Sequence, residues 1–185
     1  GRGALRLDHA LTLWPVSVGG RTGLDGGAST GGFTEACLER GAAHVFAVDV
    51  GYGQMHPRIA ADPRVTNLER TDARALTPAL IPDAPSLIVC DASFISLTKV
   101  LGAALGLAAP DAELIALVKP QCEAAGPKAV GEGGAVKDQV VRLAAVARVR
   151  DWLAAEGWRV EAEAESPISG GDGNVEYLIR ARRAG

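Results

Sequence analysis

The segment Leu24 to Phe33, L-D-G-G-A-S-T-G-G-F, constrains the fold more than any other part of the chain. An apolar residue leads into an acid, four glycines follow, and then a helical pattern begins. Glycine permits backbone conformations and close approaches that side chains forbid. A glycine-crowded strand-to-helix turn belongs at the carboxyl end of a strand, where open α/β sheets bind ligands. Two readings of the turn stand at this point: something lies against its backbone, or it is a tight turn with no ligand.

The type of ligand can be narrowed from the residues. A phosphate-binding loop needs G-x-x-x-x-G-K-[ST], and Gly31-Gly32 is followed by Phe33 rather than Lys. The dinucleotide fingerprint G-x-G-x-x-G also fails, with Ala28 or Ser29 at the third position. What remains is an acid followed by spaced small residues: Asp25, Gly27, Ser29 and Gly31. That is the pattern of S-adenosylmethionine (SAM) sites. SAM has no phosphate; it needs a carboxylate near its α-amino group and close backbone approach, and Asp25 offers the carboxylate. Asp49 ends the next strand, the place where doubly wound folds read ribose hydroxyls.

Apolar runs and helical patterns alternate along the rest of the chain. Helices are expected over 4–13, 32–40, 96–107 and 136–156, and in part over 53–61. Strands are expected over 22–25, 44–50, 65–70, 86–90, 112–118, 158–165 and 175–182. Residues 121–134 read as a glycine-rich loop. In the longest helix Val140, Ala144, Ala147, Val149 and Leu153 recur at helical spacing. The β-α-β-α order predicts a parallel sheet covered on both faces. The last two strands have no helix between them, so they should pair antiparallel.

Composition limits the possible partners. Net charge is −3, so any nucleic-acid contact must come from a local basic patch or a partner module. Cys37, Cys90 and Cys122 make no C-x-x-C, and the three histidines share no ligand spacing. No metal, no disulfide framework and a reducing compartment are expected. No apolar run is long enough to span a bilayer. The chain opens without an initiator Met; the expectation is a trimmed start with an N-terminal segment missing.

Charged residues follow the apolar strands. Asp91 comes after S-L-I-V-C and Lys119 after L-I-A-L-V, while Glu176 sits near the start of the final strand. If that strand is antiparallel, its start lies at the same sheet edge. An acid, a base and a second acid could then converge beside the glycine loop; singly, each also reads as a solvated strand end.

The motifs L-D-G-G-A-S-T-G-G-F, A-V-D-V-G-Y-G-Q, E-R-T-D-A-R, C-D-A-S-F-I-S-L, L-V-K-P-Q-C-E and G-N-V-E-Y-L together resemble the TlyA family of ribosomal RNA 2′-O-methyltransferases. That family lies within the FtsJ-like methyltransferases, and its members are often labelled hemolysins. The resemblance runs from about Arg2 to Arg182. It implies a Rossmann-like SAM-dependent methyltransferase fold, with a seven-stranded, mostly parallel sheet and an antiparallel last strand. It implies one FtsJ-like domain over 1–185, without the small N-terminal RNA-binding domain of the family. It implies a Lys-Asp-Lys-Glu set in which Arg6 takes the first Lys place, followed by Asp91, Lys119 and Glu176. Asp72 falls where the family often carries Asn against the adenine amino group. The expected cofactor contacts are Asp25, Gly26, Gly27, Ser29, Thr30, Gly31, Gly32, Phe33, Asp49, Val50, Asp72 and Asp91.

The implied chemistry is methyl transfer from SAM to a ribose 2′-hydroxyl of ribosomal RNA, with ribosomal RNA or ribosomal subunits as partners, in the cytoplasm, with no metal and no membrane. Asp91 and Glu176 are expected to hold the Lys119 ammonium at the hydroxyl. Arg6 cannot act as a base and is expected to hold a phosphate or the ribose. Residues 126–134, with Lys128 and Lys137, read as a flap or a disordered loop, and Phe94 as a residue packed near the substrate or, preferred, as a core aromatic. The competing readings are a methyltransferase of a small molecule or protein, a nonenzymatic SAM-binding or membrane-active protein, and, least favoured, a nicotinamide oxidoreductase.

Overall fold

A computed structural model describes residues 2–123 and 135–184. Seven strands form one sheet: β1 (Thr22–Asp25), β2 (His44–Val48), β3 (Val65–Leu68), β4 (Leu87–Cys90), β5 (Glu113–Val118), β6 (Trp158–Glu165) and β7 (Tyr177–Arg183). Their order is β3-β2-β1-β4-β5-β7-β6. The first five run parallel, and β7 lies antiparallel between β5 and β6. β4 and β5 are buried at every residue, as strands covered on both faces must be. β6 alternates along W-R-V-E-A-E-A-E and turns its charged residues outward, which suits an edge strand.

Helices α1 (Arg2–Leu13), α2 (Gly32–Glu39) and α3 (Pro57–Ala60) pack on one face. Helices α4 (Leu97–Val100), α5 (Gly102–Leu107), α6 (Pro120–Glu123) and α7 (Gln139–Ala155) complete the set. Along β4 and β5 the side chains alternate between two cores. Leu87, Val89, Ile115 and Leu117 join Leu7, Phe33 and Cys37. Ile88, Cys90, Leu114, Ala116 and Val118 join Leu101, Val149 and Leu153 on the other face.

Several elements differ from the sequence-based expectation. The helix expected over 96–107 is interrupted at Leu101, which separates α4 from α5. Pro120 starts α6, which runs into the region read as loop; a fixed φ favours a first helical turn. The remainder of that loop, with the flap expected over 126–134, lies outside the described residues. Asp138 caps α7 by accepting from Val140 N at 2.8 Å, so the helix begins later than expected. α7 buries Ala145, Val146, Val149 and Leu153, whereas Val140 is 75% exposed and Ala144 is exposed as well. Small apolar residues surround this helix on more than one side, so spacing alone did not select the buried face. Among the described residues, no helix is long and apolar enough to cross a membrane.

Candidate active site

Asp25 ends β1 and is fully buried. Its carboxylate accepts from Gly27 N (3.2 Å) and from Thr34 Oγ1 (2.9 Å) at the start of α2. Burial pushes its pKa up from the usual 3.8 to about 7. The acid therefore fastens the glycine loop from beneath. Gly27 passes so close to the next strand end that a Cβ would lie 3.2 Å from Ala92 Cα and Asp91 O. Gly31 has φ +99° and caps α2 in the left-handed region that glycine tolerates. Ser29 N donates to Asp49 Oδ2 (2.5 Å) and Gly51 N to Asp49 Oδ1 (2.8 Å), so Asp49 joins the loop to the end of β2.

A cleft of about 550 Å³ opens beside this loop, across the carboxyl edge of the sheet. Of the expected cofactor contacts, Gly26, Gly27, Ser29, Asp49, Val50, Asp72 and Asp91 line it. The other five lie elsewhere. Asp25 is beneath the loop, and Thr30 O accepts from His56 N at 3.0 Å. Gly31 faces Ile59 and Met55, and Gly32 faces the α1 backbone. Phe33 is 3% exposed in the core. Asp72 is engaged by Arg74 at 2.7 Å, and those hydrogen bonds hold its carboxyl below the usual range. The cleft wall also includes Ser93, which the sequence reading did not assign to it, and Phe94. Of the two readings of Phe94 the core placement fails: the side chain is fully exposed, with φ +66°, an uncommon conformation for a bulky side chain.

The four charged residues form one cluster around Asp91, which lines this cleft; Arg6, Lys119 and Glu176 stand behind the lining residues. Lys119 Nζ lies 2.7 Å from Asp91 Oδ1 and donates to Ser93 Oγ at 2.7 Å. Arg6 reaches from α1 to Asp91 (3.7 Å), Glu176 (3.5 Å) and the carbonyl of Ser169 (3.2 Å). The antiparallel run of β7 brings this about, because Tyr177 pairs with Val118, beside Lys119. Glu176 was expected on Lys119; instead its oxygens go to Arg6 and to Gln121 Nε2 at 2.9 Å. The Arg6 guanidinium, expected on phosphate or ribose, points inward with its side chain 8% exposed. A long side chain with donors on a planar fork can span two carboxylates at once. Among the described residues, no group of His, Cys, Asp or Glu could hold a metal ion.

A seven-stranded sheet with this order, its antiparallel strand next to the edge and its cleft at the carboxyl ends, is the fold of SAM-dependent methyltransferases. A SAM-dependent methyltransferase from Mesorhizobium loti matches it with a TM-score of 0.70, covering 99% of this chain and 100% of its own, at 17% identity. That likeness concerns the fold alone. The chain belongs to the FtsJ-like methyltransferase family, whose model matches residues 1–183. A 16S/23S rRNA (cytidine-2′-O)-methyltransferase, TlyA, from Mycobacterium tuberculosis is 50% identical over 181 residues, 98% of this chain and 67% of that protein. A hemolysin-labelled protein from Streptococcus thermophilus, 36% identical, matches with a TM-score of 0.95 over 100% of this chain and 66% of its own. The chain thus spans about two thirds of the length of these relatives.

Proposed function

We propose that this chain transfers a methyl group from SAM to a ribose 2′-hydroxyl of ribosomal RNA, with ribosomal subunits as its partners in the cytoplasm. The observation that carries the reading is the Lys119–Asp91 ion pair, whose acid lies on the wall of the glycine-lined cleft. The names of the M. tuberculosis relative and of the family support it. The cleft suits the cofactor: its volume falls within the range of about 300–1,000 Å³ typical of small-molecule sites. Asp49 stands on its wall, fixed by two backbone donors, and keeps lone pairs for ribose hydroxyls. Val50, 72% exposed, offers apolar surface beside it. When bound, SAM supplies a methyl group on a sulfonium.

The chain's own residues align and deprotonate the acceptor. Lys119 faces the acceptor hydroxyl, and Asp91 and Ser93 set the position of its amine. The exposed Phe94 ring at the cleft wall presents a flat face on which a nucleobase can stack. Behind Asp91, Arg6 pairs with its second oxygen, and Glu176 pairs in turn with Arg6.

Transfer of labelled methyl from SAM to purified ribosomal subunits, with the nucleosides resolved by mass spectrometry, tests the proposal. A ribose-methylated nucleoside is expected. Methyl on a base, or transfer only to a protein or small hydroxyl acceptor, would overturn it. Lys119→Ala should lower the single-turnover rate by about 10²–10⁴-fold, the usual worth of positioned proton transfer, with SAM affinity unchanged. A Lys119→Arg enzyme that keeps most of that rate makes Lys119 a positioning group, because guanidinium keeps its proton. One as slow as Lys119→Ala makes it the base.

A further inference from the structure

Glu176 is 2% exposed, and among the described residues its carboxylate has two side-chain partners of different kinds. Arg6 NH2 stands 3.5 Å from Oε1, longer than the roughly 2.7–2.9 Å of a charge-assisted hydrogen bond. Gln121 Nε2 donates to Oε2 at 2.9 Å. The neutral amide therefore makes the close contact and the cation the loose one. Gly170 fills the remaining side, where a Cβ would overlap the Glu176 carboxylate. Gln121 lies in α6, two residues after Lys119, so the turn from β5 into one short helix carries both the reactive amine and the group that holds the second acid.

From this geometry we infer that Gln121 is a positioning residue of the transfer site, acting through Glu176 on Arg6. It keeps Glu176 turned to Arg6 and leaves Lys119 to Asp91 and Ser93. The acids are thereby divided between the two cations: Asp91 is shared and Glu176 belongs to Arg6. A charged donor at position 121 would compete with Arg6 for Glu176, and an acid there would repel it. The amide supplies the hydrogen bond without either effect. The inference rests on the methyl-transfer reading proposed above.

Gln121→Glu tests the role with a signature that packing alone would not produce. Two carboxyls at this distance share a proton at low pH, and the hydrogen bond to Glu176 survives. As pH rises the shared proton leaves and the two acids repel. The single-turnover rate should then fall about tenfold or more toward high pH where the native rate does not, while SAM affinity stays level across the same range. Gln121→Leu should lose a similar factor at every pH, again with native SAM affinity. A Gln121→Glu profile that superimposes on the native one, or a Gln121→Leu rate within twofold of native, would overturn the proposal. If Gln121→Leu does not fold, the Gln121→Glu profile alone decides. A native chain that methylates no RNA ribose overturns the proposed function instead. A native chain that uses another acceptor lets the same comparison run on that acceptor, so the two failures are distinguishable.

Discussion

Asp25 carries a free-energy cost that its position explains. The unfolded chain ionises this carboxyl near 3.8, and the folded chain near 7. Between those values the folded state keeps a proton that the unfolded state has lost. Stability therefore falls as pH rises from about 4 to about 7 and is flat above, by roughly 4 kcal/mol if the whole shift is realised. Asp25→Asn removes the ionisation and can still accept from Gly27 N. The melting temperature of this variant should gain on the native one between pH 5 and pH 8; a difference that ignores pH would refute the assignment. A tenfold loss of SAM affinity in the same variant would instead make Asp25 a cofactor contact. Arg6 is the second test. Removing one partner from a buried charge network costs about 3–5 kcal/mol, and Glu176 would be left with an amide alone. Arg6→Ala should therefore lower thermal stability and transfer rate together, with RNA affinity changing less than either. Weakened RNA binding at native stability would restore the phosphate role. The pattern of Asp25, Gly27, Ser29 and Gly31 was legible in the sequence because spacing fixes it. The inward turn of Arg6 was not, because its partners Asp91 and Glu176 are far away along the chain.

At the scale of elements, α1 is positioned by a glycine of α2 as well as by its own buried apolar residues. A Cβ on Gly32 would lie 2.8 Å from Ala4 N and 3.0 Å from Gly3 Cα, and backbone cannot yield as a flexible side chain does. Gly32→Ala should push α1 away from α2 and cost about 1–3 kcal/mol, the usual range for overpacking. Because α1 carries Arg6, the transfer rate should fall too, while SAM affinity holds, since Gly32 does not line the cleft. Differential scanning calorimetry beside a SAM titration checks both; native stability in this variant would mean the helices adapt freely. One tie of the short α6 was not legible in the sequence: Glu123, in α6, accepts from Leu97 N at 2.7 Å and so joins α6 to the start of α4 across 26 residues.

For the molecule as a whole, the charge balance sets an expectation for RNA. Phosphate contacts dominate nucleic-acid affinity and make it salt-dependent, each contributing roughly 0.7–0.9 to the slope of log K against log salt. With a net charge of −3 and much of its arginine engaged in ion pairs, this chain should bind RNA weakly, with a slope no steeper than about −3. Filter binding over a salt series measures it, and a steep slope would reveal a basic face that the pairing pattern conceals. The sequence by itself determined the alternating α/β order, the parallel sheet with its antiparallel strand and the glycine turn at a strand end. These follow from local periodicity and from backbone conformations only certain residues adopt. Tertiary structure alone decided which acid meets which cation, that Gln121 shares Glu176, and that Phe94 faces out rather than in. Those outcomes depend on distances between groups remote in sequence, which are fixed only when the sheet, its register and the helices on both faces are in place.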